Sequence, residues 1–136
     1  MTVSGCVFCD GDGGEVIASA GAARVVLADE PGYPGFVRVI WRDHVKEMTD
    51  LAPGDAALLF AYVLAAERAV RAVLSPDKVN LASLGNVVPH LHWHVIPRFR
   101  DDPAFPAASF CPAVRPPSRR APDDIADALR AAWRAP

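Results

Sequence analysis

The sequence lacks most of what marks a membrane, secreted or nucleic-acid-coating protein. No stretch approaches the ~20 consecutive apolar residues needed to span a bilayer, so no membrane role is expected. The start, MTVSGCVFCDGDGG, has neither a basic region nor an apolar run and does not read as a signal peptide, which makes the cytoplasm the expected compartment. Cysteine is scarce and odd in number: Cys6, Cys9 and Cys111 do not make a disulfide framework. Charge of either sign is not in excess. With 14 Lys and Arg against 16 Asp and Glu, the net charge is −2, which excludes an electrostatic coat for nucleic acid or a lipid surface. Histidine is scarce too, yet three of the four histidines fall within five residues.

What is present fits one domain, 1–136, with 51% hydrophobic residues and length enough to bury a core without staples. Glu15 to Ser19 and Ala23 to Ala28 read as two strands around Gly21, a hairpin. Asp29 to Gly35 is a loop of turn formers, and Phe36 to Trp41 (FVRVIW) is β-branched and aromatic, hence a strand. Asp50 to Asp55 reads as a helix start and Ala56 to Leu74 as the longest helix, with Pro53 suited to the first turn and Asp55 to the positive end of the dipole. Lys78 to Leu84 and Leu91 to Phe99 are further strands, separated by a Gly85-Asn86 turn. The segment 103–122 is dense in proline and reads as an arm, a solvated connector more than a phosphate-binding one, despite Arg115, Arg119 and Arg120. Asp123 to Arg134 is a short helix with one apolar stripe of Ile125, Leu129, Ala132 and Trp133. The three tryptophans, Trp41, Trp93 and Trp133, are expected in the core or an interface. The order β-β-β-α-β-β-α predicts an α+β fold: an antiparallel sheet with helices packed beside it.

The chemistry concentrates in His90-Leu91-His92-Trp93-His94-Val95-Ile96. On a strand, residues i and i+2 share a face about 6.5–7 Å apart, so three imidazoles line one face while Leu91, Trp93 and Val95 line the other. The three are spread over roughly 13 Å. They cannot all reach one ion bonded at ~2.0–2.1 Å, so the triad alone is not a zinc site. A neutral imidazole is instead a good nucleophile near pH 7, provided the ring holds its one proton on the nitrogen that does not attack. Flanking histidines can orient it and supply a proton to a departing group.

The run Gly85-Asn86-Val87-Val88-Pro89-His90-Leu91-His92-Trp93-His94-Val95-Ile96-Pro97-Arg98-Phe99 closely resembles the signature of the histidine-triad (HIT) superfamily, His-φ-His-φ-His-φ-φ with φ apolar. The likeness extends to the N-terminal Cys-x-x-Cys, a strand ending near His44 and the long helix, and it points to bacterial relatives of the diadenosine polyphosphate hydrolase type. It implies a five-stranded antiparallel sheet with one long and one C-terminal helix, usually a homodimer, and nucleotide phosphate chemistry through a nucleotidyl-histidine. By position, His92 is the implied nucleophile on the α-phosphate, His94 a backbone-binding partner, and His90 the residue near the leaving group. Asn80 is the implied phosphate or leaving-group contact and Asp29 the implied holder of the ribose hydroxyls. Asn86 stands where the family usually has Gln, and Val87 replaces a Ser or Thr that would donate to phosphate. Phe36 replaces a further histidine. Arg38 shares the strand face of Phe36 and could restore a phosphate contact if that face looks into the site, although a surface arginine is the simpler expectation.

Cys6-x-x-Cys9 is half of a common tetrahedral zinc set. The resemblance implies that His44 and His90 complete it, tying the N-terminus to the catalytic strand. The alternative is two free thiols; a thioredoxin-like pair lacks the flanking strand and helix. A His90 that ligates zinc cannot also donate a proton from that nitrogen. Two functions follow from the sequence. One is a nucleotide hydrolase or nucleotidyl transferase acting on a nucleoside polyphosphate, dinucleoside polyphosphate or phosphoramidate through His92. The other is a nucleotide-binding regulatory module with little turnover, which the missing hydroxyl at Val87 and the Phe36 replacement favour.

Overall fold

The computed structural model describes the whole chain, Met1–Pro136. Five strands, β1 (Glu15–Ala20), β2 (Ala23–Leu27), β3 (Val37–Trp41), β4 (Lys78–Ala82) and β5 (His92–Arg98), form one antiparallel sheet in the order β1-β2-β3-β5-β4. Helices α1 (Val7–Asp10), α2 (Pro53–Leu74) and α3 (Ile125–Ala132) complete the α+β fold that the element order predicts.

The boundaries differ where side chains or backbone bonds intervene. The expected helix start at Asp50 is a separate 3-10 turn, Met48–Asp50, closed by reciprocal bonds between Glu47 and Asp50; α2 itself starts at Pro53. The strand expected to begin at Leu91 begins at His92, because Leu91 gives its N–H to the Val45 carbonyl and its own carbonyl to Trp41. His90 therefore precedes β5. At the other strand of this pair, β4 ends at Ala82, and beyond it Ser83 donates its hydroxyl to the His92 carbonyl.

Helix α2 is ended by Ser75, which takes the left-handed conformation at φ 45° and donates its N–H to the Arg71 carbonyl; Pro76 cannot continue the helix. Leu59, Tyr62, Val63, Ala66, Ala69 and Val70 recur at helical spacing and are buried, so one stripe of α2 meets the sheet. The sheet face it covers is built from alternate residues: Val25, Val37, Val39, Trp41, Val79 and Val95, with Leu91 beside them and α3 adding Ile125 and Leu129.

The other sheet face is buried differently. Phe8 and Cys6 pack on Val26 and Ile40, and Phe36 packs on Ala28 and Ile96. His92, His94 and Arg98 lie on this second face, which is why β5 is buried along nearly its whole length despite its polar residues.

The proline-dense segment 103–122 contains neither helix nor strand and is exposed over most of its length, as a connector is expected to be, but its start is tied down. Arg98 and Asp102, each 2% exposed, anchor it. Arg98 donates Nε to Asp102 Oδ2 at 2.7 Å and Nη2 to Oδ1 at 2.9 Å, and adds Nη1 to Asn80 Oδ1 at 2.8 Å and Nη2 to the Ala107 carbonyl at 2.7 Å. Asp102 also accepts the backbone N–H groups of Phe99, Ala104 and Phe105. Arg115 bonds the carbonyls of Asp102 and Phe105, and Arg119 pairs with Asp101 over the ring of Phe99. These two arginines are thus used within the arm.

Burial on its own would raise the Asp102 pKa, but the Arg98 guanidinium and the backbone donors outweigh it, so the group titrates below the ordinary carboxylate range. A carboxylate depressed in the folded state stabilises above its unfolded pKa, near 3.9, and that contribution is lost as pH falls through the lower folded value. Asp102→Ala leaves the Arg98 charge buried without a partner and should cost about 3–5 kcal/mol. Urea unfolding at pH 7 measures the loss. Repeating it from pH 5 downward should show wild-type stability falling toward that of the variant, whereas a pH-independent gap would contradict the role given to this pair.

Candidate active site

Backbone pairing assembles the site. β3 and β5 pair antiparallel with Arg38 opposite His94 and Ile40 opposite His92, so the second sheet face presents both imidazoles beside a guanidinium. The chain before β1 covers this face. After Cys6, one helical turn carries Phe8 onto His92, ring centroids 4.8 Å apart in an edge contact. Arg24 holds that turn by donating to the carbonyls of Phe8, Gly11 and Asp12. The strand entry then passes close to its neighbours: a Cβ at Gly13 would lie 2.8 Å from the Phe8 ring and 2.9 Å from Ile40, and one at Gly14 would strike the Leu27 carbonyl. Both have positive φ, so glycine is required twice over.

A cavity of about 580 Å³ opens on His92 and His94. The Leu84 to Val88 turn forms one wall; Phe8, Gly13 and Arg38 form another, and Phe110 from the proline-dense arm stands at the rim. His92 donates Nδ1–H to the carbonyl of His90 at 2.6 Å. The proton of the neutral ring is thereby held on Nδ1, and the lone pair of Nε2 is left without a protein partner beside the cavity. Burial lowers the pKa of His92, the charge of Arg38 adds to the effect, and the bond to His90 opposes it. His94 stands at right angles to His92, centroids 4.9 Å apart, between Phe36 and Phe110. Burial first, then the neighbouring His92 and Arg38, push its pKa down to about 4, so it is neutral at pH 7. Its Nδ1 is buried without a hydrogen-bond partner in the protein.

His90 has no part in the cavity wall. It is fully buried, donates Nε2–H to the Trp41 carbonyl at 2.7 Å, and turns Nδ1 toward the thiols, 3.4 Å from Cys6 Sγ and 3.5 Å from Cys9 Sγ. His44, three residues beyond β3, places Nδ1 3.5 Å from Cys9 Sγ. One ligand atom from each of Cys6, Cys9, His44 and His90 lies within 4.8 Å of the others. A tetrahedral zinc with bonds of ~2.3 Å to sulfur and ~2.0–2.1 Å to nitrogen puts S and N about 3.5 Å apart, so the donor set fits that ion. The Nε2–H bond to Trp41 is the outer contact that fixes a ligating histidine's tautomer.

The other residues singled out in the sequence are placed apart. Asn86 and Arg38 line the cavity of His92. Asn80 does not: it accepts from Arg98 and faces a different cleft along β4. Asp29 is exposed and lines a neighbouring hollow with Tyr33 and Arg119. The acidic residue that reaches Arg38 is the next one, Glu30, at 3.0 Å. Three cavity residues had no signal in sequence. Phe8 sat inside the Cys-x-x-Cys, Gly13 looked like a turn former, and Phe110 lay in the arm.

Residues 14–101 match the HIT domain family. The chain is 33% identical over 78 residues to the bis(5'-nucleosyl)-tetraphosphatase [asymmetrical] of Schizosaccharomyces pombe, which takes in 54% of this chain and 43% of that protein. It is 32% identical over 98 residues to the AP-4-A phosphorylase of Mycobacterium tuberculosis, covering 68% and 50%. The chain thus spans about half the length of the curated relatives it matches. Among solved structures, the histidine triad protein blr8122 of Bradyrhizobium japonicum superposes with a TM-score of 0.76 at 27% identity, over 90% of this chain and 92% of that one. A Zn-bound histidine triad family protein from Mycobacterium smegmatis superposes with a TM-score of 0.68 at 28% identity, over 94% and 92%. By the extent of the family match and the triad that carries it, the chain belongs to the histidine-triad (HIT) family.

Proposed function

We propose that this chain is a nucleotide hydrolase or nucleotidyl transferase that attacks the α-phosphorus of a nucleoside polyphosphate, dinucleoside polyphosphate or phosphoramidate through His92 Nε2. The observation that carries this reading is the bond from His92 Nδ1–H to the His90 carbonyl, which leaves Nε2 unprotonated at the wall of the cavity. The names of the two curated relatives, a tetraphosphatase and a phosphorylase, favour a dinucleoside polyphosphate as substrate. In the first step the Nε2 lone pair forms the N–P bond while the bond from phosphorus to the leaving group breaks: a polyphosphate departs with that electron pair as an anion, and the amine of a phosphoramidate departs with it and takes a proton from solvent. Water or inorganic phosphate then attacks the same phosphorus, the N–P bond breaks with its electron pair returning to Nε2, an attacking water gives up its proton to solvent, and the neutral ring is restored. His94, neutral and packed edge-on against His92, positions it and meets the phosphate oxygens.

Cys6, Cys9, His44 and His90 are proposed to hold a structural zinc, in line with the Zn-bound relative. Held by these four residues, the ion would tie the N-terminal turn, and with it Phe8, to the residue whose carbonyl orients His92. In that arrangement His90 supports His92 through its backbone, and its ring is not the acid for the leaving group. Asn86 is the proposed polar contact of the turn to phosphate. Two chains are proposed to form a homodimer, for which β4, at the open edge of the sheet, offers unpaired backbone. A reduced cytoplasmic setting suits the free thiols. A second reading, a nucleotide-binding module with little turnover, is favoured by one observation: Val87 stands at the cavity 92% exposed, with no hydroxyl to offer a phosphate.

Two experiments test the proposal. Diadenosine tetraphosphate should be cleaved by the wild-type protein, and His92→Ala should lower kcat by about 10⁴-fold or more. A neutral-pH quench followed by mass spectrometry should find an adenylyl group on His92. Equal turnover by both proteins removes the nucleophile, and tight binding without turnover or adduct selects the second reading. For the metal, elemental analysis should find one zinc per chain, and chelation or Cys9→Ser should lower the thermal midpoint by roughly 10 °C. A zinc-free preparation with an unchanged midpoint would remove the clamp.

A further inference from the structure

The cavity of His92 has twelve lining residues, and Arg38 is the only charged one among them. Its neighbours there are mainly apolar or glycine: Val7, Phe8, Gly13, Leu84, Val87 and Phe110. A guanidinium in such a wall is a weakly screened positive charge, and its placement there does little for stability by itself. Its one ion pair, to Glu30 at 3.0 Å, joins side chains 21% and 41% exposed, and a pair this open contributes little to folding. The pair does fix the direction of the guanidinium. Glu30 holds one Nη2 from the side of the neighbouring hollow, and Nη1 reaches the Gly13 carbonyl at a long 3.5 Å. The Phe36 ring lies against Cζ at 5.7 Å. Of the five N–H donors a guanidinium carries, most remain uncommitted. Arg38 is also directly opposite His94 across the β3–β5 pair, and His94 in turn touches His92. The charge is therefore held beside the imidazoles from the adjacent strand.

We propose that Arg38 is a catalytic residue that grips the non-bridging oxygens of the phosphate attacked by His92, in place of the hydroxyl that Val87 does not provide. The inference rests on the reading of His92 as nucleophile. In phosphoryl and nucleotidyl transfer, negative charge is spread over the equatorial oxygens as the new bond forms and the old one breaks, and catalysis depends on donors already aimed at them. The Leu84 to Val88 turn can offer the Asn86 amide, but Val87 presents only methyl groups. A planar, permanently charged fork aims two parallel donors at a phosphate, whereas a lysine offers a point charge without that fixed geometry. The ligand class follows from this: an oxyanion of phosphorus esterified to a nucleoside, bound with its charge toward β3.

The test separates the charge contact from turnover. Full-length, metal-loaded wild type, Arg38→Gln and Arg38→Lys are titrated with AMP and with adenosine by calorimetry, and their kcat/KM on diadenosine tetraphosphate is measured. Wild type should bind AMP more tightly than adenosine. Arg38→Gln should lose about 10- to 100-fold in AMP affinity with adenosine affinity unchanged. Its kcat/KM should fall about 10²- to 10³-fold, and Arg38→Lys should lie between. Added guanidinium at millimolar concentration should partly restore the turnover of Arg38→Ala, a rescue that a merely structural arginine would not show. Thermal midpoints establish that the variants are folded, and if Arg38→Gln is not, Arg38→Lys decides. An unchanged AMP preference and unchanged kcat/KM in the folded variants overturn the proposal while leaving His92 intact. If wild type shows no turnover but Arg38→Gln still loses AMP selectivity, the nucleophile reading fails and the phosphate contact stands. A wild type that does not prefer AMP to adenosine also overturns it.

Discussion

The hydrogen bond from His92 Nδ1 to the carbonyl of His90 is the constraint on which the site depends. An imidazole in water divides its proton between two nitrogens and turns freely about its bonds. Here a backbone carbonyl two residues earlier fixes both the tautomer and the ring orientation. That carbonyl can be in place only because His90 itself is immobile. Its Nε2–H is tied to Trp41 at the end of β3, and its Nδ1 faces two thiols and His44. The apparently separate parts of the chain, an N-terminal cysteine pair, a histidine past the third strand and the triad, form one arrangement behind a single ring nitrogen that has no protein partner.

The two faces of the sheet divide the work. One is packed by Val, Ile, Leu and Trp against α2 and α3 and supplies the stability of an ordinary core. The other is closed by smaller clusters around Phe8 and Phe36, and between them the polar residues of β3 and β5 meet the cavity. The buried Arg98–Asp102 pair is what allows a proline-dense segment to serve this second face. By holding residues 98 to 107 it carries Phe110 to the rim beside His94. Proline removes donors and restricts the backbone, so a segment of this kind needs side-chain anchors in place of ladder hydrogen bonds.

Much of this was legible in the sequence. Strict alternation of histidine with apolar residues specified which face of β5 carries the imidazoles, and strand-forming runs located all five strands to within two residues. The long helix was legible from its length, Pro53 and Asp55. What was not legible depends on contacts distant in sequence. Leu91 bonds to Val45 and Trp41, so the strand starts one residue later and His90 turns toward the cysteines. Asn80 is drawn to Arg98, a partner eighteen residues away. Glu30 reaches Arg38, a pairing set by the geometry of a turn that the sequence alone does not fix. The 3-10 turn at Met48–Asp50 and the short α1 are too brief to show periodicity.

The chemistry proposed for the site depends on the protonation state of one ring. Two-dimensional ¹H–¹⁵N spectra of the histidine-labelled protein at pH 7 distinguish the two neutral tautomers and the imidazolium. The structure predicts that His92 is the Nδ1–H tautomer, with Nε2 in the unprotonated range and its resonance shifting when a nucleotide is added. A His92 that is an imidazolium or carries its proton on Nε2, and is indifferent to nucleotide, would contradict it.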